Sequence, residues 1–252
     1  MIRDVKVVNN WEYVTGHMNY NIESIGNTKN NNEPRTLLNQ VNFADACDFN
    51  NVYCYVLPRI KQTTTNNPRA NYLTPAQKGA VLAGLRDKKT LGAELIIADP
   101  VFVAVDMLTY DPNKEDLTSD LASVSELKIV RSNQSSRSFE SIKTKAYKII
   151  TDYFDSFEFG GTLDVSLLQN KIFEIGDIAA IYTRRTDTGQ ETQGISLGVW
   201  NPIYPNDDIV STGSGLPMPY YKHPYLYQPT KFVNKITIVS ESSVSELSTS
   251  EY

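Results

Sequence analysis

The stretch SFESIKTKAYKIITDYFDSF, residues 138–157, carries the clearest structural pattern in the sequence, because its apolar side chains recur at steps of three and four. This spacing places them on one face of an α-helix, with lysines and Asp152 on the opposite, wet face. The predicted packing face consists of Phe139, Ile142, Ala146, Ile149, Ile150 and Tyr153. We expect this face to pack in the core, since aromatic residues at this spacing are typical of a core stripe rather than of a ligand site.

A second, shorter helix is predicted after this one. Gly160 and Gly161 end the long helix, Asp164 is placed to cap a helix over 165–175, and Gly176 ends that helix. The Gly-Gly pair is not a phosphate-binding loop, because it follows a helix and lacks the Lys-Ser/Thr of a P-loop.

Strands are predicted on both sides of this helical region. The segments DIAAIYTRR (177–185) and GISLGVW (194–200) predict a hairpin around TDTGQETQ (186–193). Upstream, SELKIVRS (125–132) predicts a half-exposed strand, with Leu127 and Ile129 on one face and Lys128 and Val130 on the other. The order of elements therefore alternates helices with strands.

The region from Leu73 to Pro100 begins with the best-marked helix start in the chain. Thr74 stands at an N-cap position and Pro75 at the first helical position, and the pattern predicts a helix from about Pro75 to Lys89. Its predicted packing face consists of Ala76, Ala80, Val81 and Leu85. A strand is predicted next, over Glu94–Ala98.

The segment VFVAVDMLTY, residues 101–110, is apolar on both alternating faces and predicts a central strand. Asp106 is the exception. A lone carboxylate on such a strand is either a buried catalytic acid or, more commonly, an acid at a wet edge or satisfied by a neighbour. We expect the second situation.

The N-terminal part predicts two strands separated by polar loops. Residues 5–14 form the first predicted strand and Val52–Leu57 the second, which ends at Pro58. The Asn-rich segment 19–34 and the polar segment 61–71 predict irregular loops.

Together these elements predict an α+β fold: a mixed sheet with two main amphipathic helices packed on it, plus an extended Pro/Tyr-rich C-terminal arm. Three parts are expected along the chain. Residues 1–72 form a β-rich N-terminal part with Asn-rich loops, 73–200 an α/β body, and 201–252 the arm, a final strand at KFVNKITIV (231–239) and an acidic tail. We expect the tail to be disordered unless a partner orders it.

Composition excludes several classes of function. The net charge is −5 and the 24 basic residues are scattered, so nucleic acid is not an expected partner. No apolar run is long enough for a membrane helix and the N-terminus lacks the pattern of a signal peptide, so we expect a cytosolic protein without a membrane partner.

Metal, cofactor and catalytic motifs are also missing from the sequence. The two cysteines, Cys47 and Cys54, suit neither a disulfide framework nor a zinc site, and Cys54 is expected to be a small buried residue on a strand. The acidic segment 111–122 lacks the glycine and the final glutamate of an EF-hand, since Asp116 and Ala122 stand there. We expect no cofactor, no metal and no enzymatic activity.

A family resemblance rests on this order of elements over about Asn51 to Trp200. The run from LTPAQKGAVLAGLRDKKTLGAELIIADPVFVAVD through SFESIKTKAYKIITDYF to FGGTLDVSLLQNKIFEIGDIAAIYTRR resembles the baseplate J-like family of contractile phage tails, and most closely the C-terminal portion of the T-even type wedge subunit of the inner ring. The matching positions are Tyr153, Phe154, Gly160 or Gly161, Leu163, Ser166, Leu168, Ile172, Ile175 and Gly176. Asp177 departs from the family, in which a valine usually follows the glycine, and this leaves the start of the next strand open.

The resemblance implies a scaffolding role. Family subunits form dimers and rings, contact other wedge proteins and take part in the rearrangement that accompanies sheath contraction. It therefore implies a location in the virion tail baseplate, with assembly in the host bacterial cytoplasm. It also implies that the sequence is the C-terminal part of a longer protein, because family subunits carry a large N-terminal portion.

The segment PMPYYKHPYLYQP, residues 217–229, is the candidate contact region. Proline stiffness reduces the entropy lost on docking, and tyrosine is enriched at protein interfaces. The predicted protein-interface residues are Trp200, Tyr204, Tyr220, Tyr221, His223, Tyr225 and Tyr227. Whether this arm covers the chain's own sheet or contacts another protein stays open.

A carbohydrate-binding module is the alternative function. In it, Trp200, Tyr204, Tyr220, Tyr221 and Tyr225 would stack on sugar rings, and a glycosidase would further need two suitably spaced carboxylates. His223 is expected to be an interface or surface residue rather than a general base, because no partner that would orient it can be named.

Overall fold

A computed structural model describes residues 2–9, 51–58, 72–85, 94–108, 123–200 and 208–242. These ranges form the α+β fold with mixed sheets that the sequence predicts. The strands are β1 (Ile2–Asn9), β2 (Asn51–Pro58), β3 (Glu94–Ala98), β4 (Val101–Met107), β5 (Ser125–Arg131), β6 (Thr162–Asp164), β7 (Ile178–Arg185), β8 (Glu191–Gln193), β9 (Ser196–Trp200), β10 (Asp208–Ser211), β11 (Gly215–Pro217), β12 (Lys222–Leu226) and β13 (Ile236–Ser240). The helices are α1 (Pro75–Leu85), α2 (Phe139–Asp155), α3 (Val165–Phe173) and α4 (Pro229–Phe232), which a 3₁₀ turn over Val233–Lys235 follows.

The described strands pair into three main sheets and one short two-stranded ladder. The orders are β1-β2-β3 in the first sheet, β10-β9-β4-β12 in the second, β13-β5-β7-β8 in the third and β11-β6 in the ladder. Each main sheet combines one parallel pairing with antiparallel ones: β3 lies parallel to β2, β12 to β4 and β13 to β5. The sheets are therefore mixed, as predicted.

The main core lies between α2, α3 and the second and third sheets. Val103 and Val105 of β4 share one buried cluster with Leu127 and Ile129 of β5 and with the inner face of α2. Burying such aliphatic side chains contributes roughly 1.5–3 kcal/mol each to the stability of the fold. The central position predicted for β4 is confirmed.

The inner face of α2 differs in part from the predicted one. Ile142, Ala146, Ile150 and Tyr153 are buried as predicted, but so are Thr151 and Phe154, which the prediction left out. Phe139, the first residue of α2, is 42% exposed, and the Arg131 guanidinium lies 4.5 Å from its ring centre. Ile149 is only half-buried.

The caps of the helices follow their sequence signals. Thr74 accepts from the backbone N–H of Gln77 at 3.3 Å while the Gln77 side chain accepts from the Thr74 N–H at 2.8 Å, a reciprocal capping box. Asp164 caps α3 by accepting from the Leu167 N–H at 3.0 Å, as predicted.

Helix α1 packs less deeply than predicted. None of its residues is fully buried, and Ala76 and Ala80 are exposed. Val81 packs as predicted, together with Leu82, against the side of the first sheet that carries Cys54, which is buried on a strand as predicted. The described part of the helix ends at Leu85.

Two strand predictions are wrong in detail. Strand β5 is not half-exposed: Lys128 and Val130 are buried like Leu127 and Ile129, and the Lys128 ammonium is covered by Glu191 of β8, at 2.7 Å, and by the ring of Tyr182 of β7. The predicted hairpin is also different, because β7 turns back onto β8, while β9 pairs with β4 and β10 in the second sheet. Residue Gly194, at a φ of +86°, stands where the chain leaves one sheet for the other.

The C-terminal region belongs to the sheets. Strand β12 is the edge of the second sheet, where Pro224 costs no ladder hydrogen bond, and β13 is the edge of the third. The final strand begins at Ile236 rather than Lys231, because 229–235 are helical. The pairings of β12 with β4, of β13 with β5 and of β2 with β3 cross both predicted domain boundaries.

Candidate functional site

The predicted interface residues lie mostly inside the chain's own core. Trp200, Tyr221, His223 and Tyr225 are 6%, 3%, 0% and 4% exposed, so an intermolecular role for them would require β12 to leave its sheet. Of the two possibilities that the sequence left open, the Pro/Tyr segment follows the first: it packs against its own chain, where its side chains lie beside β4. Two further predicted residues, Tyr220 and Tyr227, are half-buried. Tyr204 lies outside the described residues.

His223 stands in an aromatic cage at the edge of the second sheet. Its Nε2 donates a hydrogen bond to the backbone carbonyl of Phe157 at 3.0 Å, which fixes that nitrogen as protonated. The rings of Phe102, Phe157 and Phe159 meet the imidazole edge-on, with centroids 5.9, 5.8 and 6.1 Å away. The hydrogen bond from His223 therefore holds the backbone at Phe157 in place. Because His223 has no exposed surface, a substrate in solvent cannot reach its imidazole.

Asp106 is buried and ion-paired. Its Oδ2 accepts a hydrogen bond from the Lys235 ammonium, and its Oδ1 accepts from the Met107 N–H at 2.8 Å. Burial raises the pKa of Asp106 to about 6, although Lys235 and the Met107 N–H act in the opposite direction. The prediction that a neighbour satisfies this carboxylate is confirmed.

An open groove lies between α2 and α3. Its volume is about 690 Å³, and it runs along the outer sides of the two helices. The lining residues are Arg137, Lys145, Lys148, Ile149, Asp152, Tyr153, Ser156, Lys171, Glu174 and Ile175. Four cations face two carboxylates there, although the whole chain carries a net charge of −5.

The two ends of this α2–α3 groove are held by specific contacts. At one end the guanidinium of Arg137 donates to the backbone carbonyl of Ile175 and lies 3.5 Å from the carboxylate of Asp177. At the other end the hydroxyl of Tyr153 donates to the Asp164 carbonyl at 3.1 Å and accepts from the Asp164 N–H at 2.9 Å. Burial raises the pKa of Tyr153, so this phenol stays neutral. The two helices are therefore fixed relative to each other.

The cations of the groove differ in how firmly they are engaged. Lys148 pairs with Asp152 at 2.5 Å on an exposed helix face, and the Lys171 ammonium lies 5.8 Å from the ring centre of Tyr153. Lys145 is exposed one helical turn away. Exposed lysines on flexible stems act as point charges, and such a surface attracts an acidic ligand without fixing its geometry.

The side chains that line the groove are mostly charged. Its lysines, arginine, two carboxylates and single serine do not form a nucleophile with an oriented base. Across the described ranges, no group of three or more potential metal ligands occurs. In the same ranges, no helix is both long and apolar enough to cross a bilayer.

Sequence reasoning missed the groove because its two walls are distant in the chain. Lys145, Lys148 and Asp152 were assigned correctly to the polar face of α2, which was interpreted as merely solvated. Nothing in a single sequence aligns that face with Lys171 and Glu174 of α3. The available signal was the concentration of lysine on one helix face of an acidic chain.

No protein-family model matches the chain, and no curated protein shows significant similarity to it.

Proposed function

We propose that the chain is a structural subunit of a contractile phage tail baseplate, in the wedge or inner ring. In this role it contacts copies of itself and other wedge proteins, and these contacts hold the baseplate and rearrange when the sheath contracts. It acts in the virion tail after assembly in the host cytoplasm, and it carries no enzymatic activity.

The observation that carries this proposal is the position of the residues behind the family resemblance. Phe154, Leu163, Leu168 and Ile172 are all fully buried in the main core. A resemblance carried by core residues concerns the fold, and it supports a shared scaffold more than a shared chemistry.

The one departure from the family pattern has a local explanation. Gly176 and Asp177 both adopt a left-handed backbone, with φ of 75° and 63°. A valine is strongly disfavoured at such a φ, whereas aspartate tolerates it. Strand β7 begins directly after this turn, at Ile178.

The polar groove adds support for a role in contacts. The charged surface of the α2–α3 groove suits an acidic peptide segment, and the buried groups Asp106 and His223 are both engaged inside the fold. Rigid helices that display exposed charges are typical of a contact surface in which electrostatics sets the register.

The sugar-binding alternative has less support. A sugar platform needs aromatic rings that face solvent, and Trp200, Tyr221 and Tyr225 are each at most 6% exposed. Of the five rings proposed for stacking, Tyr220 is the one half-exposed ring within the described ranges, and it packs edge-on against Tyr55 and Tyr221.

Immunogold electron microscopy tests the proposal. An antibody raised against the purified chain is applied to tail particles from the source, in extended and in contracted form. Gold is expected in both forms at the end of the tail that is distal to the head. Gold on the head or the sheath, or particles without any gold, would overturn the assignment. Pre-absorbing the antibody with the purified chain is the control for specificity.

A further inference from the structure

We propose that the α2–α3 groove binds the chain's own acidic tail, residues 243–252. The tail reads SVSELSTSEY and contains two glutamates, Glu246 and Glu251, and no basic residue. The proposal goes beyond the baseplate role and does not depend on it.

Charge complementarity is the first argument. Four cations and two carboxylates line the groove; Lys148 and Asp152 pair with each other at 2.5 Å, and Arg137 lies 3.5 Å from Asp177. The excess positive charge therefore rests on Lys145, which is exposed, and on Lys171, against Glu174. In a chain with a net charge of −5, a surface with excess positive charge attracts an acidic segment that most of the chain would repel.

The path of the chain is the second argument. Strand β13 leads to Glu241 and Ser242, which are held at Asn133: the Glu241 carboxylate accepts from the Asn133 N–H at 3.1 Å, and the Ser242 N–H donates to Oδ1 of Asn133 at 3.3 Å. Asn133 precedes Arg137 by four residues, a span of at most about 14 Å. Because Arg137 lines the groove, the tail departs beside one end of it.

Length is the third argument. Ten extended residues reach about 33–36 Å. The groove follows α2 from Lys145 to Ser156, a rise of about 16 Å along the helix axis. The tail is thus long enough to cross the gap and to bring Glu246 and Glu251 to the lysines, while Leu247 meets the half-buried Ile149.

Zero-length cross-linking of the intact, unmodified chain tests the contact. A carbodiimide joins carboxylates to amines that touch, and mass spectrometry then identifies the joined peptides. Cross-links from Glu246 or Glu251 to Lys145, Lys148 or Lys171 are expected. The ion pair of Lys78 and Asp99, at 2.5 Å and outside the groove, provides the internal positive control.

Isotope mixing identifies the occupant. In an equal mixture of ¹⁴N- and ¹⁵N-labelled chains, the tail cross-links are expected within single copies. Cross-links between differently labelled copies would show that the tail binds a second copy and would overturn the proposal. Tail carboxylates that join lysines outside the groove, or none while the control pair is joined, would overturn it as well.

Proteolysis of the intact chain provides a second readout. A glutamate-specific protease is expected to cleave after Glu246 roughly five- to tenfold faster in the Lys145→Glu/Lys171→Glu variant than in the wild type, because each reversed charge removes a surface attraction. The Lys231→Glu variant reverses an exposed charge on α4 and is expected to match the wild type. Equal rates in all three, in variants with unchanged thermal unfolding, would contradict the proposal.

Discussion

The ammonium of Lys235 donates a hydrogen bond to the carboxylate of Asp106, a residue that lies 129 positions earlier in the chain. This pair joins the 3₁₀ turn before β13 to the central strand β4, so it connects the last strand of the third sheet with the middle of the second. Asp106 is 1% exposed, and its charge depends on this partner.

Removing the cation is expected to destabilise the fold. Lys235→Met leaves an ionised carboxylate buried without its partner, which costs about 3–5 kcal/mol near neutral pH. The loss is expected to be smaller at about pH 5, because Asp106 can then take up a proton instead. Urea unfolding at both pH values measures the difference, and Lys231→Met, on an exposed residue of α4, is the matched control.

The same pair gives the stability a pH dependence. Asp106 has a pKa of about 6 in the folded chain, above the ordinary aspartate value of 3.8, so the folded state binds a proton that the unfolded state releases between these values. This contribution is complete below about pH 4 and is lost as the pH rises through about 6; its size is on the order of 2–3 kcal/mol.

Comparison with Asp106→Asn isolates this contribution. The other titrating groups cancel when the free energy of unfolding of the Asn variant is subtracted from that of the wild type at each pH. The difference is expected to decline from about pH 4 to pH 7. Curves that run parallel over this range would show that Asp106 does not titrate differently in the two states.

The imidazole of His223 is expected to stabilise the fold in two ways: through the hydrogen bond that its Nε2–H donates, and through the space that its ring fills. His223→Phe keeps a ring among Phe102, Phe157 and Phe159 but leaves the Phe157 carbonyl without its donor, at a cost of about 1–3 kcal/mol. His223→Ala also leaves a cavity, so a total of about 3–5 kcal/mol is expected. Urea midpoints measure both, and a Phe variant no better than the Ala variant would show that shape contributes nothing here.

Most elements were predicted from signals within a few adjacent residues. The errors concern contacts between segments that are distant in the chain. The caps at Thr74 and Asp164 and the apolar run of β4 each depend on a few adjacent residues, and all three were predicted correctly. The parallel pairing of β12 with β4 has no turn between the strands to mark it, so a Pro/Tyr-rich segment was interpreted as an arm. The groove was missed for the same reason, since the side chains of Lys148 and Lys171 meet only after α2 and α3 have packed.

The C-terminal strands are expected to be essential for folding. A chain that ends after Trp200 loses β12 and β13, which leaves the edges of β4 and β5 open and removes the buried side chains of Leu226, Phe232 and Ile236. It is expected to lose its cooperative thermal transition in near-ultraviolet circular dichroism, whereas a chain that ends after Ser242 keeps every described element and its transition. A folded monomer ending at Trp200 would show that the region is a separable arm after all.

The glycine at the crossing between the third and second sheets is expected to be irreplaceable. A Cβ at Gly194 would lie 2.3 Å from Oγ1 of Thr212 and 2.9 Å from Oε1 of Gln169, and the backbone there has a φ of +86°. These two side chains hold β9 in place, because both accept from the Ile195 N–H, at 2.7 and 3.1 Å. Gly194→Ala must therefore both strain the backbone and displace the side chains of Thr212 and Gln169 from the Ile195 N–H.

Gly189→Ala is the matched control for that substitution. Gly189 has a similar φ of +73°, but its Cβ would enter open space, so backbone strain alone applies and about 1 kcal/mol is expected. Gly194→Ala is expected to cost at least about 3 kcal/mol, because the clash and the lost hydrogen bonds add to the strain. Thermal and urea unfolding of both variants measure the difference. Equal losses would mean that the Thr212 and Gln169 contacts do not fix the crossing between the sheets.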